Sequence, residues 1–109
     1  MPKFLVETKY TLEGIRGVRA QGGSARAAAA KAVVEELGGT LESFHFAFGS
    51  SDVYLIADMP DNAAAAAIGV VVSAGGGATT RTTVLLTPEE MDAAAKMQST
   101  SHWRARAAF

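Results

Sequence analysis

The stretch that most constrains the fold is Phe44–Asp58, FHFAFGSSDVYLIAD. It reads as two strands joined by a tight Gly-Ser-Ser-Asp turn, the pattern of a β-hairpin. Successive side chains of a strand point to opposite faces of its sheet. Alternation puts Phe44, Phe46 and Phe48 on one face of the first strand and Leu41, His45 and Ala47 on the other. In the second strand Val53, Leu55, Ala57 and Met59 oppose Tyr54 and Ile56. Neither strand has a clean polar side, so the sheet is expected to carry apolar groups on both faces. The helices of one chain cover only one of them. The expectation is that the other meets a second subunit.

A chain of 109 residues has room for one modest core. With 49% hydrophobic and 19% charged residues it lies well outside the disordered range. Net charge is −1 and the isoelectric point is near 6.1. The basic footprint of a nucleic-acid binder is missing, which argues against a nucleic-acid partner. The absence of cysteine excludes a disulfide, a thiolate metal site and a cysteine nucleophile, and suits a reducing compartment. The N-terminus opens on a strand-like segment rather than a charged region followed by an apolar one. The longest apolar run, Ala63–Val72, is about half of what a bilayer requires. A cytoplasmic protein with no membrane partner is expected.

Along the chain, Lys3–Tyr10 reads as a first strand with Phe4 and Val6 on one face and Leu5 on the other. Thr11–Gly23 has Leu12, Ile15 and Val18 at three-residue spacing, but Gly14, Gly17 and Gly22-Gly23 interrupt it, so only a short helical turn is expected. A firmer helix follows, with Ser24 as N-cap and Gly38-Gly39 as the stop. Ala30, Val33, Val34 and Leu37 form its apolar stripe, while Lys31 and Glu35 face away. Strands Thr40–Phe48 and Asp52–Met59 come next. Pro60-Asp61-Asn62 then caps a helix over Ala63–Ser73, whose five consecutive alanines and three valines imply close approach to other backbone. A strand over Ala78–Leu86 is followed by Thr87-Pro88-Glu89-Glu90, a capping box with Pro at the first helical position. That helix should run to about Met97, leaving a tail, Gln98–Phe109, that includes His102, Trp103, Arg104 and Arg106. The order β-α-β-β-α-β plus a C-terminal helix is the split β-α-β arrangement of an α+β, ferredoxin-like fold. The tail is a candidate arm to a neighbouring subunit.

The stretches KFLVETKYTLEGIRG, GGSARAAAAKAVVEELGGTLESFHFAFG, DVYLIADMPDNAAAAA and TTVLLTPEEMDAAAK resemble the GYD-domain family, small bacterial proteins of the dimeric α/β-barrel type. Together they cover most of residues 2–96, so that 2–97 stands as a GYD-like domain and 98–109 as a tail. The triplet that names the family departs from its pattern here. Gly49 and Asp52 match, whereas Ser51 stands where the tyrosine would align, so a role for that hydroxyl does not carry over. The resemblance implies a fold and homodimeric or higher assembly, with no assigned reaction; no cofactor is expected. Structural relatives of this barrel type include cofactor-free monooxygenases, lactone isomerases and haem enzymes, with ligands between helices and sheet; that is likeness of fold alone.

Four side chains are candidates for a site. His45, between two phenylalanines, suits a general base or ligand contact, although a hydrogen-bonded core or interface histidine is the commoner case. Asp52 is either a carboxylate at a pocket mouth or an aspartate bonded to nearby backbone. Arg26 begins the apolar stripe of its helix and so points toward the space between helix and sheet, where it can hold an anion; it can equally lay its stem along apolar surface and reach water. Tyr54 is expected at a pocket or interface with its hydroxyl paired. Gly49 is expected to supply a positive φ, and Arg81 a cross-strand ion pair. Two histidines 57 residues apart do not suggest a metal site. Three functions remain open: an oligomeric module with a small-ligand site at Arg26, His45 and Tyr54; a cofactor-independent isomerase or monooxygenase on an apolar, oxygenated substrate, with His45 and Asp52 catalytic; or a structural subunit of a larger assembly.

Overall fold

A computed structural model describes residues 1–100. The elements run β1 (Lys3–Tyr10), α1 (Leu12–Gln21), α2 (Gly23–Glu36), β2 (Thr40–Phe46), β3 (Val53–Asp58), α3 (Asn62–Ala74), β4 (Ala78–Leu85) and α4 (Pro88–Lys96). The strands form one antiparallel sheet in the order β2-β3-β1-β4. This is the α+β, ferredoxin-like arrangement, with α1 to α3 on one face. The tail residues His102, Trp103, Arg104, Arg106 and Phe109 lie outside the described residues.

Burial on β1 and β3 alternates strictly, and Phe4, Val6, Val53, Leu55, Ala57 and Met59 form the core beneath the helices. Val34 of α2 and Ala65 and Ile68 of α3 close it from above. The stripe on α2 falls where the spacing puts it, and Lys31 and Glu35 form an exposed pair at 3.4 Å. Helix α3 is capped by Asp61, whose side chain accepts the Ala64 N–H at 2.8 Å. On α4 the capping box is complete: the Glu90 N–H donates to Thr87 Oγ1, and the Thr87 N–H to Glu90, both at 3.0 Å. All of α4 is nevertheless exposed.

The connection after β1 differs from the sequence reading. Leu12–Gln21 is a ten-residue helix rather than a short turn, capped by Thr11, whose hydroxyl accepts the Gly14 N–H. The glycines that read as interruptions are close-packing positions. A methyl at Gly14 would overlap the Gly77 carbonyl, and one at Gly17 would overlap the Arg26 guanidinium. The Thr11 N–H and hydroxyl donate to the carbonyls of Gly77 and Gly76, tying the start of α1 to the turn before β4. Helix α2 begins at Gly23, one residue before the expected cap Ser24. The corner between the two helices is Gly22 at φ 86°, a conformation that disfavours other residues.

β2 departs from simple alternation too. Leu41 pairs with Ala57 and Phe44 with Leu55, with a register shift between Leu41 and Ser43. This bulge puts Leu41 on the helix-facing side with Phe44, opposite to its expected face. The strand ends at Phe46, which meets Phe44 edge to face at 5.2 Å. Phe48 lies beyond the strand, fully exposed. Gly49 does not have the expected positive φ; Gly22, Gly38 and Gly76 do.

The open face of the sheet is mixed rather than apolar throughout. Leu5, Tyr54, Ile56 and Leu85 form a half-buried apolar strip. Lys3, Glu7, Lys9, Asp58, Thr79, Arg81 and Thr83 share that face by alternation. Lys3 bonds both Asp58 and Glu42 at 3.0 Å.

Gly14→Ala tests the packing role of the first-helix glycines. Alanine should favour the helix by about 1 kcal/mol, but the overlap with the Gly77 carbonyl involves backbone and cannot relax by a rotamer change. A net loss of about 1–3 kcal/mol is expected in chemical denaturation. Gly49→Ala, with no atom near the added methyl, should change stability by less than about 0.5 kcal/mol.

Candidate functional site

Helices α2 and α3 are rich in alanine, whereas the sheet beneath them is built from Phe, Leu and Val. Close-packed interiors need summed side-chain volume, and alanines do not supply it. A cavity of about 280 Å³ remains between the layers. Its walls are Val6, Phe44 and Leu55 from the sheet and Val34, Ile68 and Val72 from the helices. Polar atoms enter it at few places: Thr8 on β1, Thr80 on β4, Tyr10 at the end of β1 and Arg26 in the first turns of α2. Thr8 and Thr80 stand directly opposite each other in the β1–β4 register.

Arg26 Nε is buried and has no hydrogen-bond partner. Among the described residues no ion pair reaches the guanidinium either. Its fork lies against Gly17 of α1, in space that a side chain there would enter unless the guanidinium moved. An unpaired buried donor costs about 1–3 kcal/mol, and more when charged. The site therefore holds an unmet demand for an acceptor.

Tyr10 is the neighbouring polar group. Burial pushes its phenol above the ordinary value; Arg26 draws it down and Asp52 adds to the rise. The phenol is therefore a neutral O–H donor at physiological pH. Its backbone is held in turn by Asp52, whose Oδ2 accepts the Tyr10 N–H at 2.8 Å. The Asp52 N–H donates to the Thr8 carbonyl, and the Asp52 carbonyl accepts the Ala47 N–H, both at 2.8 Å. Asp52 thus fastens the hairpin to the end of β1, its side chain bonding backbone distant in sequence while its own carbonyl closes the turn.

The four candidates from the sequence are divided between two layers. Arg26 lines the cavity. His45 and Tyr54 are register partners on the open face, His45 exposed and Tyr54 half-buried. Asp52 sits at the edge between them. His45 and Tyr54 therefore do not share a cavity with Arg26. Arg81 is also on the open face, opposite Glu7 in register.

Sequence reasoning missed Tyr10, Thr8 and Thr80 as cavity residues. The signal for the first two was present: both lie in phase with Phe4 and Val6 on β1. Thr80 had no such signal within a run of threonines. In sequence Gly17 resembles a breaker, because the residue it packs against, Arg26, belongs to another helix.

Among the described residues no three His, Asp or Glu side chains gather as a metal site, and no helix is long and apolar enough to cross a membrane. The fold and cavity define an α+β sheet-and-helix module with a pocket between its layers. The family model described as GYD domain matches residues 4–95, and the chain belongs to that family. Comparison with curated proteins and with solved structures gives no match.

The Tyr10 shift has a pH consequence of definite sign. A folded pKa raised above the ordinary 10.0 means that the native state holds the proton longer than the unfolded chain. Stability contributed by the neutral phenol is then complete below about pH 10 and is lost as pH rises through the folded value. Lys3, also raised, through its bonds to Asp58 and Glu42, contributes in the same alkaline range. Tyr10→Phe should leave stability near neutrality little changed and flatten its fall above pH 10. Denaturation curves of both proteins across that range check this, and identical alkaline slopes would contradict the assignment.

Proposed function

We propose that the protein is a homo-oligomeric α/β-barrel module whose helix–sheet cavity takes a small, largely apolar ligand. The observation that carries the reading is the cavity itself, about 280 Å³ of space at the low end of ligand-site volumes. Alanine-rich helices leave it open, and only a few polar atoms enter it.

The second copy packs against the open face of the sheet, on the side away from the cavity. The strip Leu5, Tyr54, Ile56 and Leu85 supplies the apolar centre. The flanking charges are balanced, with Lys3, Lys9 and Arg81 facing Glu7, Asp58 and Glu42, and such a set can pair with a rotated copy of itself. Ligand and partner thus occupy opposite sides of one sheet, so neither excludes the other. A cysteine-free chain of this kind suits the cytoplasm.

The cofactor-independent enzyme is the weaker reading because His45 and Tyr54 lie on the other side of the sheet from Arg26. A scaffold role would rest on the tail.

Light scattering on size-fractionated protein at micromolar concentration should report a dimer or larger species. Ile56→Glu, placing a charge in the apolar strip, should shift it toward the monomer, and a wild-type protein that is monomeric throughout would refute the assembly. The cavity is tested separately by xenon NMR, since apolar cavities take up xenon. Wild type should show a saturable xenon shift that Ala30→Phe, filling the space, reduces.

A further inference from the structure

We infer that the ligand is a small monocarboxylate, bound with its carboxylate between Arg26 and Tyr10 and its hydrocarbon body among Leu55, Ile68 and Val72. This rests on the cavity reading of the preceding section and adds to it the charge, the head group and the orientation of the occupant.

The head group follows from the donors. Arg26 Nε is buried with no acceptor, and guanidinium matches a planar two-oxygen anion better than any neutral group. Tyr10 is close enough to Arg26 for the guanidinium to act on its phenol, which retains its proton. One oxygen can accept from the guanidinium and the other from the phenol. Gly17 contributes by absence: its missing side chain leaves the space in which the guanidinium lies.

The charge follows from the balance of groups. Among the described residues a single cation faces the cavity, and the Asp52 carboxylate is near enough to raise the Tyr10 phenol further. A second negative charge on the ligand would have no cation to meet it and would lie near that carboxylate. A monoanion fits; a phosphate monoester, largely dianionic at neutral pH, does not. The body follows from the walls, which are aliphatic apart from Phe44 and the hydroxyls of Thr8 and Thr80, residues opposite each other in register.

Leaving a charged donor buried and unpaired is costly to the empty protein. The same residue that captures the ligand should therefore weaken the unliganded fold, a combination that a merely structural arginine would not show.

The test is calorimetric titration of the full-length protein with butanoate, hexanoate, octanoate and phenylacetate, each beside its alcohol, and with hexyl phosphate. At least one carboxylate should bind about tenfold or more tightly than its alcohol, and hexanoate more tightly than hexyl phosphate. Arg26→Met should bring the carboxylate and its alcohol within about twofold, while its unliganded melting temperature is equal to or above that of wild type. Tyr10→Phe, which keeps the ring, should weaken the carboxylate several-fold and leave the alcohol unaffected. Equal binding of acid and alcohol, unchanged in Arg26→Met, overturns the inference and leaves the cavity reading standing. Tighter binding of hexyl phosphate overturns the choice of a monoanion. No binding by any probe, with no xenon shift, overturns both readings. Should Arg26→Met fail to fold, the structural role wins on stability and the Tyr10→Phe titration decides the head group.

Discussion

The site depends on a mismatch of volume between two layers. The sheet presents Phe4, Val6, Phe44, Val53 and Leu55 upward, and the helices answer with Ala29, Ala30, Ala64 and Ala65 beside a few valines and one isoleucine. Alanine favours the helix without filling the space beneath it. Full collapse of α1 and α3 toward the gap is opposed at one end by backbone: the Gly14 face of α1 already rests on the Gly77 carbonyl. Thr11 and Asp52 hold that same end through hydrogen bonds to the turn before β4 and to the end of β1. That end of the gap is therefore held by backbone, while side chains form its walls.

The sheet separates two jobs. Upward it makes the floor of a cavity whose few polar atoms converge near Arg26 and Tyr10. Downward it carries the Leu5–Tyr54–Ile56–Leu85 strip among balanced charges, the surface proposed to meet a second copy. His45 and Tyr54 belong to the lower layer and Arg26 to the upper one, and the strands themselves lie between. A strand's two-residue period makes this division: neighbours in sequence end up on opposite sides, while Tyr10, Asp52 and Arg26, far apart in sequence, meet at one corner.

Much of the architecture was legible because local chemistry and tertiary packing agree. The alternation of Val53 to Met59, the Thr87–Glu90 capping box, the Asp61 cap and the stop at Gly38 each appear where the residues put them. The misreadings have a common cause: what a residue meets across the fold is not written beside it in the chain. Gly14 and Gly17 resemble breakers until Gly77 and Arg26 arrive against them. The bulge after Leu41 reverses that residue's face, and nothing in TLESFHF announces it. The open face proved mixed because β4 brings Thr79, Arg81 and Thr83 alongside the apolar hairpin, a pairing the hairpin alone could not show. Arg26 was legible from its phase with Ala30, whereas Tyr10 was passed over at a strand end although Phe4, Val6 and Thr8 set its phase.

The anion site depends on the state of one side-chain nitrogen. Nitrogen-15 NMR of the arginine side chains, assigned with the Arg26→Met protein, reports Nε–H of Arg26 directly. A buried, unpaired Nε–H should give a resolved resonance that exchanges slowly with water and moves on titration with a carboxylate. A resonance exchanging as fast as those of the exposed arginines, and unmoved by any carboxylate, would mean that the guanidinium is in solvent and that the cavity has no anchor.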